Sequence, residues 1–185
     1  KKFGLVLIVD NTFASPYLQQ PLALGAEAVV YSTTKYIGGH SDIIGGAVVT
    51  NNLKLAEKLN FLRKAMGFNP SPFDWWLIIR GLKTFSLRMA RHCANAQKVA
   101  EFLSGHKMVS AVYYPGLKSH KNHEAAKQQM KDFGGMISFE LKGNQKQLGR
   151  FLTSLKIFAL AESLGGVESL VNHPASMTHA SMSKK

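Results

Sequence analysis

One lysine of this chain stands among neighbours that a solvated surface lysine has no need of. Residues 29–46 read Val-Val-Tyr-Ser-Thr-Thr-Lys-Tyr-Ile-Gly-Gly-His-Ser-Asp-Ile-Ile-Gly-Gly, so Lys35 follows the hydroxyl residues Ser32, Thr33 and Thr34 and precedes two glycine pairs. Such hydroxyls can donate hydrogen bonds to an anion, and glycine lets backbone approach backbone or ligand closely. A lysine held partly out of water can have its pKa lowered enough to attack a carbonyl carbon. The chemistry this combination could do is Schiff-base formation beside a phosphate-bearing cofactor. The same residues also suit a strand–turn–strand unit with a solvated lysine and turn-capping hydroxyls. Composition alone favours that plainer reading.

Two further places could join Lys35. Asp10 ends an apolar run, and ligands of open α/β sheets gather outside the carboxyl ends of strands; the alternative for Asp10 is a cap on the following turn. Glu162-Ser163 is followed by Leu164-Gly165-Gly166, whose glycines would let backbone groups approach a ligand. A Glu-Ser pair carries nothing by itself.

The elements that must position these residues follow from periodicity. Residues 3–9, Phe-Gly-Leu-Val-Leu-Ile-Val, form a continuous apolar run too short for a buried helix, which predicts an inner parallel strand with Asp10 at its end. A short helix over residues 16–23 follows, entered through Ser15 with Pro16 in its first position and stopped at Gly25. Residues 25–31 supply the next strand, and residues 43–50 another. Apolar positions 55, 59, 62 and 66 recur near a 3.6 period and predict an amphipathic helix over residues 53–66, ended by Gly67, Pro70, Ser71 and Pro72. A second helical region runs over residues 73–103 with a break near Gly81; its apolar content predicts packing between two layers or against a partner subunit, with Trp75 and Trp76 expected in the core rather than as a cofactor clamp. Arg80 is expected to be structural, and His40 and Asp42 to order the lysine loop rather than perform chemistry. Beyond about residue 85, short strands (109–114, 135–141, 157–160) alternate with helices (120–130, 145–155).

Composition narrows the classes. The 185 residues are 45% hydrophobic, enough for one core or two small ones. A single cysteine, Cys93, rules out an intrachain disulfide and a multi-cysteine metal site within one chain, and no metal site is expected from the scattered histidines. No apolar run approaches the roughly 20 residues of a membrane span. The start, Lys1-Lys2-Phe3-Gly4, lacks the features of a secretory signal, so the expectation is a cytoplasmic protein without a membrane partner. The formal charge of +12 invites a nucleic-acid reading. The lysines and arginines are dispersed through periodic segments, however, with no basic arm or nucleic-acid motif, so no nucleic-acid partner is expected.

The lysine segment resembles the cofactor-lysine segment of the Cys/Met-metabolism family of pyridoxal-phosphate enzymes. Three other stretches resemble that family in the same order: residues 9–17 (Val-Asp-Asn-Thr-Phe-Ala-Ser-Pro-Tyr), residues 80–84 (Arg-Gly-Leu-Lys-Thr), and residues 161–170 (Ala-Glu-Ser-Leu-Gly-Gly-Val-Glu-Ser-Leu) with Pro174 and residues 177–181. The resemblance covers essentially the whole chain. It implies an α/β fold of the PLP-dependent transferase type (aspartate aminotransferase type, fold type I). Residues 1–85 would be the C-terminal part of a large PLP-binding domain, and residues 86–185 an incomplete, smaller α+β domain.

By the same resemblance, Lys35 carries pyridoxal 5'-phosphate as an internal aldimine, Asp10 pairs with the pyridine nitrogen, and Thr12 lies close to the ring. Ser32 and Thr34 contact the phosphate, Ser163 places the substrate and orients the lysine, and Glu162 lies near the substrate's distal end. Glu162 with residues 165–168 resembles the cystathionine γ-lyases and γ-synthases. The expected reaction is α,γ-elimination from cystathionine to cysteine, 2-oxobutanoate and ammonia. The alternatives are γ-replacement of an O-acylhomoserine by cysteine, or an inactive fragment of such an enzyme. A sulfur amino-acid substrate and a homotetramer built from dimers are implied. Nothing in the chain corresponds to the family's stacked tyrosine, its glycine-containing phosphate loop or its substrate-carboxylate arginine, so an internal fragment is expected.

Overall fold

A computed structural model describes residues 3–182 of the chain. The terminal residues Lys1-Lys2, part of the start read for a secretory signal, and Ser183-Lys184-Lys185 lie outside the described residues. The first unit is a three-stranded sheet in the order β1 (Ile8–Asp10), β2 (Ala28–Ser32), β3 (Gly46–Thr50). β1 pairs parallel with β2, Asp10 opposite Val30, and β3 returns antiparallel with Ser32 opposite Gly46. Between β1 and β2 lies a one-turn helix, α1 (Ser15–Leu18). The expected strand–helix–strand unit is therefore present.

Two expectations about this unit need correction. The helix is one turn long rather than spanning residues 16–23, because Pro21 cannot donate into a continuing helix and residues 21–25 close as a turn instead. Among the described residues, β1 stands at the edge of the sheet rather than inside it. Its apolar approach is bare: Leu5 is 77% and Ile8 57% exposed. A continuous apolar run reports that a strand suits two-sided burial; it cannot say which layers this chain places over it.

After β3 comes α2 (Leu53–Met66), whose ends match the sequence reading. Asn52 caps it by accepting from the Leu55 N–H, and Gly67 ends it at φ 72°, a left-handed geometry that suits glycine. α3 (Pro72–Leu82) starts at a capping box in which Ser71 and Asp74 bond each other's backbone N–H, and a break at residues 83–84 separates it from α4 (Phe85–Ser104). The break falls where Gly81 suggested one. The tryptophans depart from expectation: Trp75 and Trp76 are 45% and 53% exposed. Trp76 stacks on Phe73 and lies beneath the Arg80 guanidinium on the outer face of α3.

α4 is the central support. One buried cluster joins its Met89 and Cys93 to Leu18 and Tyr36, and a second joins its Ala96 and Ala100 to Tyr114. β4 (Val109–Tyr113) pairs antiparallel with β5 (Ser138–Leu141), with α5 (His123–Gln129) between them in sequence. α5 starts three residues later than read, after a turn in which the His120 Nδ1 accepts from the Asn122 N–H. α6 (Gln145–Ser154) follows. The short parallel pair β6 (Ala159–Leu160) and β7 (Leu170–Val171) then brackets the loop that holds Glu162 and Ser163. Among the described residues, no helix is long and apolar enough to cross a membrane.

Candidate functional site

The site forms where β1 and β2 end side by side. Parallel pairing puts both carboxyl ends at one edge, so Asp10 and Ser32 emerge as neighbours. Thr12 ties them together: its N–H donates to Asp10 Oδ1 at 3.0 Å, and its Oγ1 accepts from the Ser32 N–H at 2.8 Å. The Thr12 hydroxyl first, then its N–H, holds the Asp10 carboxyl below the usual carboxylate value, so this exposed group is anionic at neutral pH. Asn11 pins the intervening loop. Its buried amide donates to the Ser15 and Gln19 carbonyls at 3.1 and 2.9 Å and to the Tyr31 hydroxyl at 3.3 Å.

Lys35 sits in a π-helical turn, Thr33–Ile37, directly after β2. The turn is irregular at the lysine itself, which adopts φ −90°, ψ −130°. Upstream, the turn is fastened to Gly45: the Gly45 carbonyl accepts from the Thr33 N–H at 2.9 Å, and the Thr34 Oγ1 accepts from the Gly45 N–H at 3.0 Å. Gly45 has to be glycine, because a Cβ there would lie 2.7 Å from the Thr33 hydroxyl oxygen. Downstream, the His40 Nδ1 donates to the Gly38 carbonyl at 2.8 Å, a loop-ordering contact of the kind expected for it.

The C-terminal loop closes over this turn from 128 residues away: Lys35 Nζ donates to Ser163 Oγ at 2.8 Å. Ser163 has φ 84°, a left-handed conformation that costs a non-glycine residue about 1–3 kcal/mol and persists only where surroundings impose it. Those surroundings include Gly165, whose backbone lies directly on the turn; a Cβ there would fall 2.5 Å from the Tyr36 nitrogen and 2.8 Å from the Lys35 carbonyl carbon. Leu164 packs on the Leu18–Tyr36–Met89–Cys93 cluster, and Ser41 Oγ donates to Glu168 Oε2 at 3.3 Å.

The sequence-derived set is thus brought together in two linked pieces, Asp10–Thr12–Ser32 and Lys35–Ser163, with Thr34 fastened to Gly45. Glu162 is exposed beside Ser163, and among the described residues no hydrogen bond ties it to the others. Sequence reasoning missed Asn11, Ser41, Glu168 and Arg88 as supports. For Asn11 a local signal existed, an amide directly after the strand-end aspartate. For Arg88 none did.

An α/β arrangement with a lysine turn at the carboxyl edge of its sheet, hydroxyls beside the lysine and a carboxylate one strand away is in keeping with the fold-type-I pyridoxal-phosphate enzymes, the class of the solved structures it resembles. The chain belongs to the Cys/Met metabolism PLP-dependent enzyme family, which matches residues 1–185. It is 57% identical over its full length to a cystathionine beta-lyase of Lactococcus lactis subsp. cremoris, of which it covers 48%. A solved cystathionine gamma synthase from Xanthomonas oryzae pv. oryzae, in complex with aminoacrylate and cysteine, superposes with TM-score 0.96 at 53% identity, over 98% of this chain and 47% of that one. A cystathionine gamma-lyase from Lactobacillus plantarum, complexed with L-serine, gives TM-score 0.92 at 48% identity, over 97% and 47%. The chain therefore spans about half the length of the proteins it matches.

The family's cofactor is pyridoxal 5'-phosphate. The donor set fits it: an amine and hydroxyls suited to an aldehyde and a phosphate lie on the turn, and an anion suited to a basic ring nitrogen lies on the adjacent strand end.

Proposed function

We propose that the full-length protein carrying this chain is a pyridoxal-phosphate enzyme that cleaves cystathionine by α,γ-elimination to cysteine, 2-oxobutanoate and ammonia. The observation that carries the lysine's role is the Lys35 Nζ–Ser163 Oγ hydrogen bond of 2.8 Å, formed across 128 residues on the turn that directly follows β2. When bound, the cofactor supplies an electrophilic carbon for amines and a protonated ring that accepts electrons from a substrate carbanion. Asp10, whose carboxyl Thr12 holds below its ordinary value, would keep the proton on the ring nitrogen. The Ser32 hydroxyl would hold the phosphate, and Thr34 would join it by turning its proton away from the Gly45 carbonyl, to which it donates at 3.3 Å.

The Lys35 amine takes the proton from the substrate Cα and moves protons at Cβ. Ser163 orients that amine and helps place the amino-acid part of the substrate, and Glu162 faces its distal end. Residues 1–85 then act as the cofactor half and residues 86–185 as part of the smaller domain. α4 bridges them through its contacts with the lysine turn and β4. A cytoplasmic homotetramer is the assembly that agrees with this reading.

The synthase reading has its own support, the TM-score of 0.96 to a γ-synthase. Similar identities are shared with proteins named for different reactions, so overall likeness does not sort them. A pocket difference of one contact shifts specificity only modestly. The deciding experiment gives the full-length enzyme cystathionine in one arm, and O-acylhomoserine with cysteine in the other. Faster 2-oxobutanoate release from cystathionine supports the lyase, and faster cystathionine formation overturns it in favour of the synthase. Residues 1–185 alone are expected to be weakly active or inactive; robust keto-acid formation by the purified chain with pyridoxal phosphate would reverse that expectation.

A further inference from the structure

We propose that Arg88, on α4, is a positioning residue that sets the backbone geometry of the Lys35 turn. Its Nη1 donates to the Tyr36 carbonyl at 2.8 Å. Its Nη2 donates to the Gly81 carbonyl at 2.9 Å and the Ile37 carbonyl at 3.4 Å, and its Nε to the Thr84 hydroxyl at 3.1 Å. Tyr36 and Ile37 are the two residues that follow the lysine, at the end of a turn whose last carbonyls have no helical partner. Gly81 stands one residue before the end of α3, so a single half-buried guanidinium bonds carbonyls at the carboxyl ends of two elements, at Gly81 alongside the Thr84 N–H. A cation is favoured there by the helix dipole. Lys35 departs from helical geometry; the Gly38 and Gly39 N–H groups still bond the Thr33 and Lys35 carbonyls at 2.8 Å, and the carbonyls of the two residues in between, Tyr36 and Ile37, are held from α4 by Arg88.

Two glycines leave the room this requires. Gly39, at φ 72°, would place a Cβ into the guanidinium of Arg88, and Gly81 would place one against the Gly38 carbonyl. Lysine keeps the charge but offers donors from a single point. It cannot reproduce a planar fork spread over three carbonyls and a hydroxyl. The inference rests on Lys35 being the cofactor lysine, which is tested separately by borohydride trapping of pyridoxal phosphate on the unsubstituted protein and mapping of the labelled peptide.

The test uses the full-length holoenzyme with Arg88→Lys, Gly39→Ala and the double variant, compared below their melting temperatures. Gly67→Ala serves as control: Gly67 has the same φ of 72° with nothing within 4 Å of an added Cβ, so it imposes the backbone strain without a collision. The readouts are pyridoxal-phosphate capture at Lys35, the pH dependence of the bound cofactor's visible absorbance, and kcat and KM separately. The expected result is a loss of about 10- to 100-fold in capture and kcat for Arg88→Lys and for Gly39→Ala, with KM within a few fold and an altered absorbance–pH profile. The double variant should be no worse than either single one, because both remove the same support. Gly67→Ala should match the unsubstituted enzyme. If Arg88→Lys and Gly39→Ala lower only the melting temperature, or if their effects add, Arg88 is a structural staple and the proposal fails. Should Arg88→Lys not fold, Gly39→Ala against Gly67→Ala decides alone.

Discussion

The lysine turn and the outer face of α2 and α3 are held in opposite ways. Around the turn, remote side chains do the work: Ser163 reaches Lys35, Arg88 reaches the carbonyls after it, and Leu164 lies on the core formed by Leu18, Tyr36, Met89 and Cys93. On the outer face the devices are local. α2 has no buried residue, and what defines it is the Asn52 cap and the Gly67 stop; α3 begins in its own capping box. Apolar residues there, Phe61, Phe73 and Trp76, stay largely exposed, as does the approach to β1. The difference teaches that, within the described residues, the lysine turn is held by groups distant in sequence, whereas α2 and α3 are bounded by caps and turns next to them.

The largest effect should follow from removing the centre of the first region. Lys35→Ala in the full-length enzyme is expected to lower turnover by about 10³-fold or more and to abolish borohydride trapping at that peptide, because nucleophile and base vanish together. Retained trapping would break the assignment of the turn as the site. Next comes a direct contrast of packing. Met89 is fully buried, so Met89→Ala should destabilise the chain by about 2–5 kcal/mol in urea unfolding. Phe61→Ala, at a position 69% exposed, should stay within about 0.5 kcal/mol. Equal costs would erase the comparison.

Tyr36 sharpens the contrast through pH. Burial chiefly, then Cys93, pushes its hydroxyl up to about 12 from an ordinary value near 10. A raised folded-state value means its contribution is intact below about pH 10 and lost as pH rises through about 12, by at most about 2–3 kcal/mol. Tyr36→Phe should remove that share of the alkaline loss in denaturant melts at pH 9 and pH 12. An unchanged pH dependence would mean the phenol is not buried under the lysine.

These contrasts also mark what could be read in the sequence. The lysine segment was legible because its hydroxyls and glycines are dense and contiguous, and the boundary between α2 and α3 because Gly67, Pro70, Ser71 and Pro72 act on adjacent backbone. The pairing of Lys35 with Ser163 was reached through resemblance; spacing alone could not have given it. Arg88 was invisible because its partners are backbone carbonyls, two of them more than 50 positions away, and every residue has a carbonyl. The burial of the tryptophans and of β1 was misread for a related reason. Apolar residue type shows what a surface would tolerate, but not what this chain lays against it.

The smallest prediction probes the second region on its own terms. If α3 is held at its start by local bonds, then Ser71→Ala, which removes the hydroxyl that accepts from the Asp74 N–H at 3.1 Å, should cost about 1 kcal/mol. The Asp74 carboxylate would still accept from the residue 71 N–H, at 3.3 Å in the capping box, so only one of the two orphan donors loses its partner. Ser71→Asp should restore most of the loss, because a carboxylate also accepts at this position and suits the positive end of the helix. Urea unfolding of the three proteins measures both steps. A loss of several kcal/mol for Ser71→Ala would mean that the entry to α3 is coupled to the α4 core through Gly81 and Arg88. The two regions would then be one mechanical unit, with the exposed helix bearing directly on the geometry of Lys35.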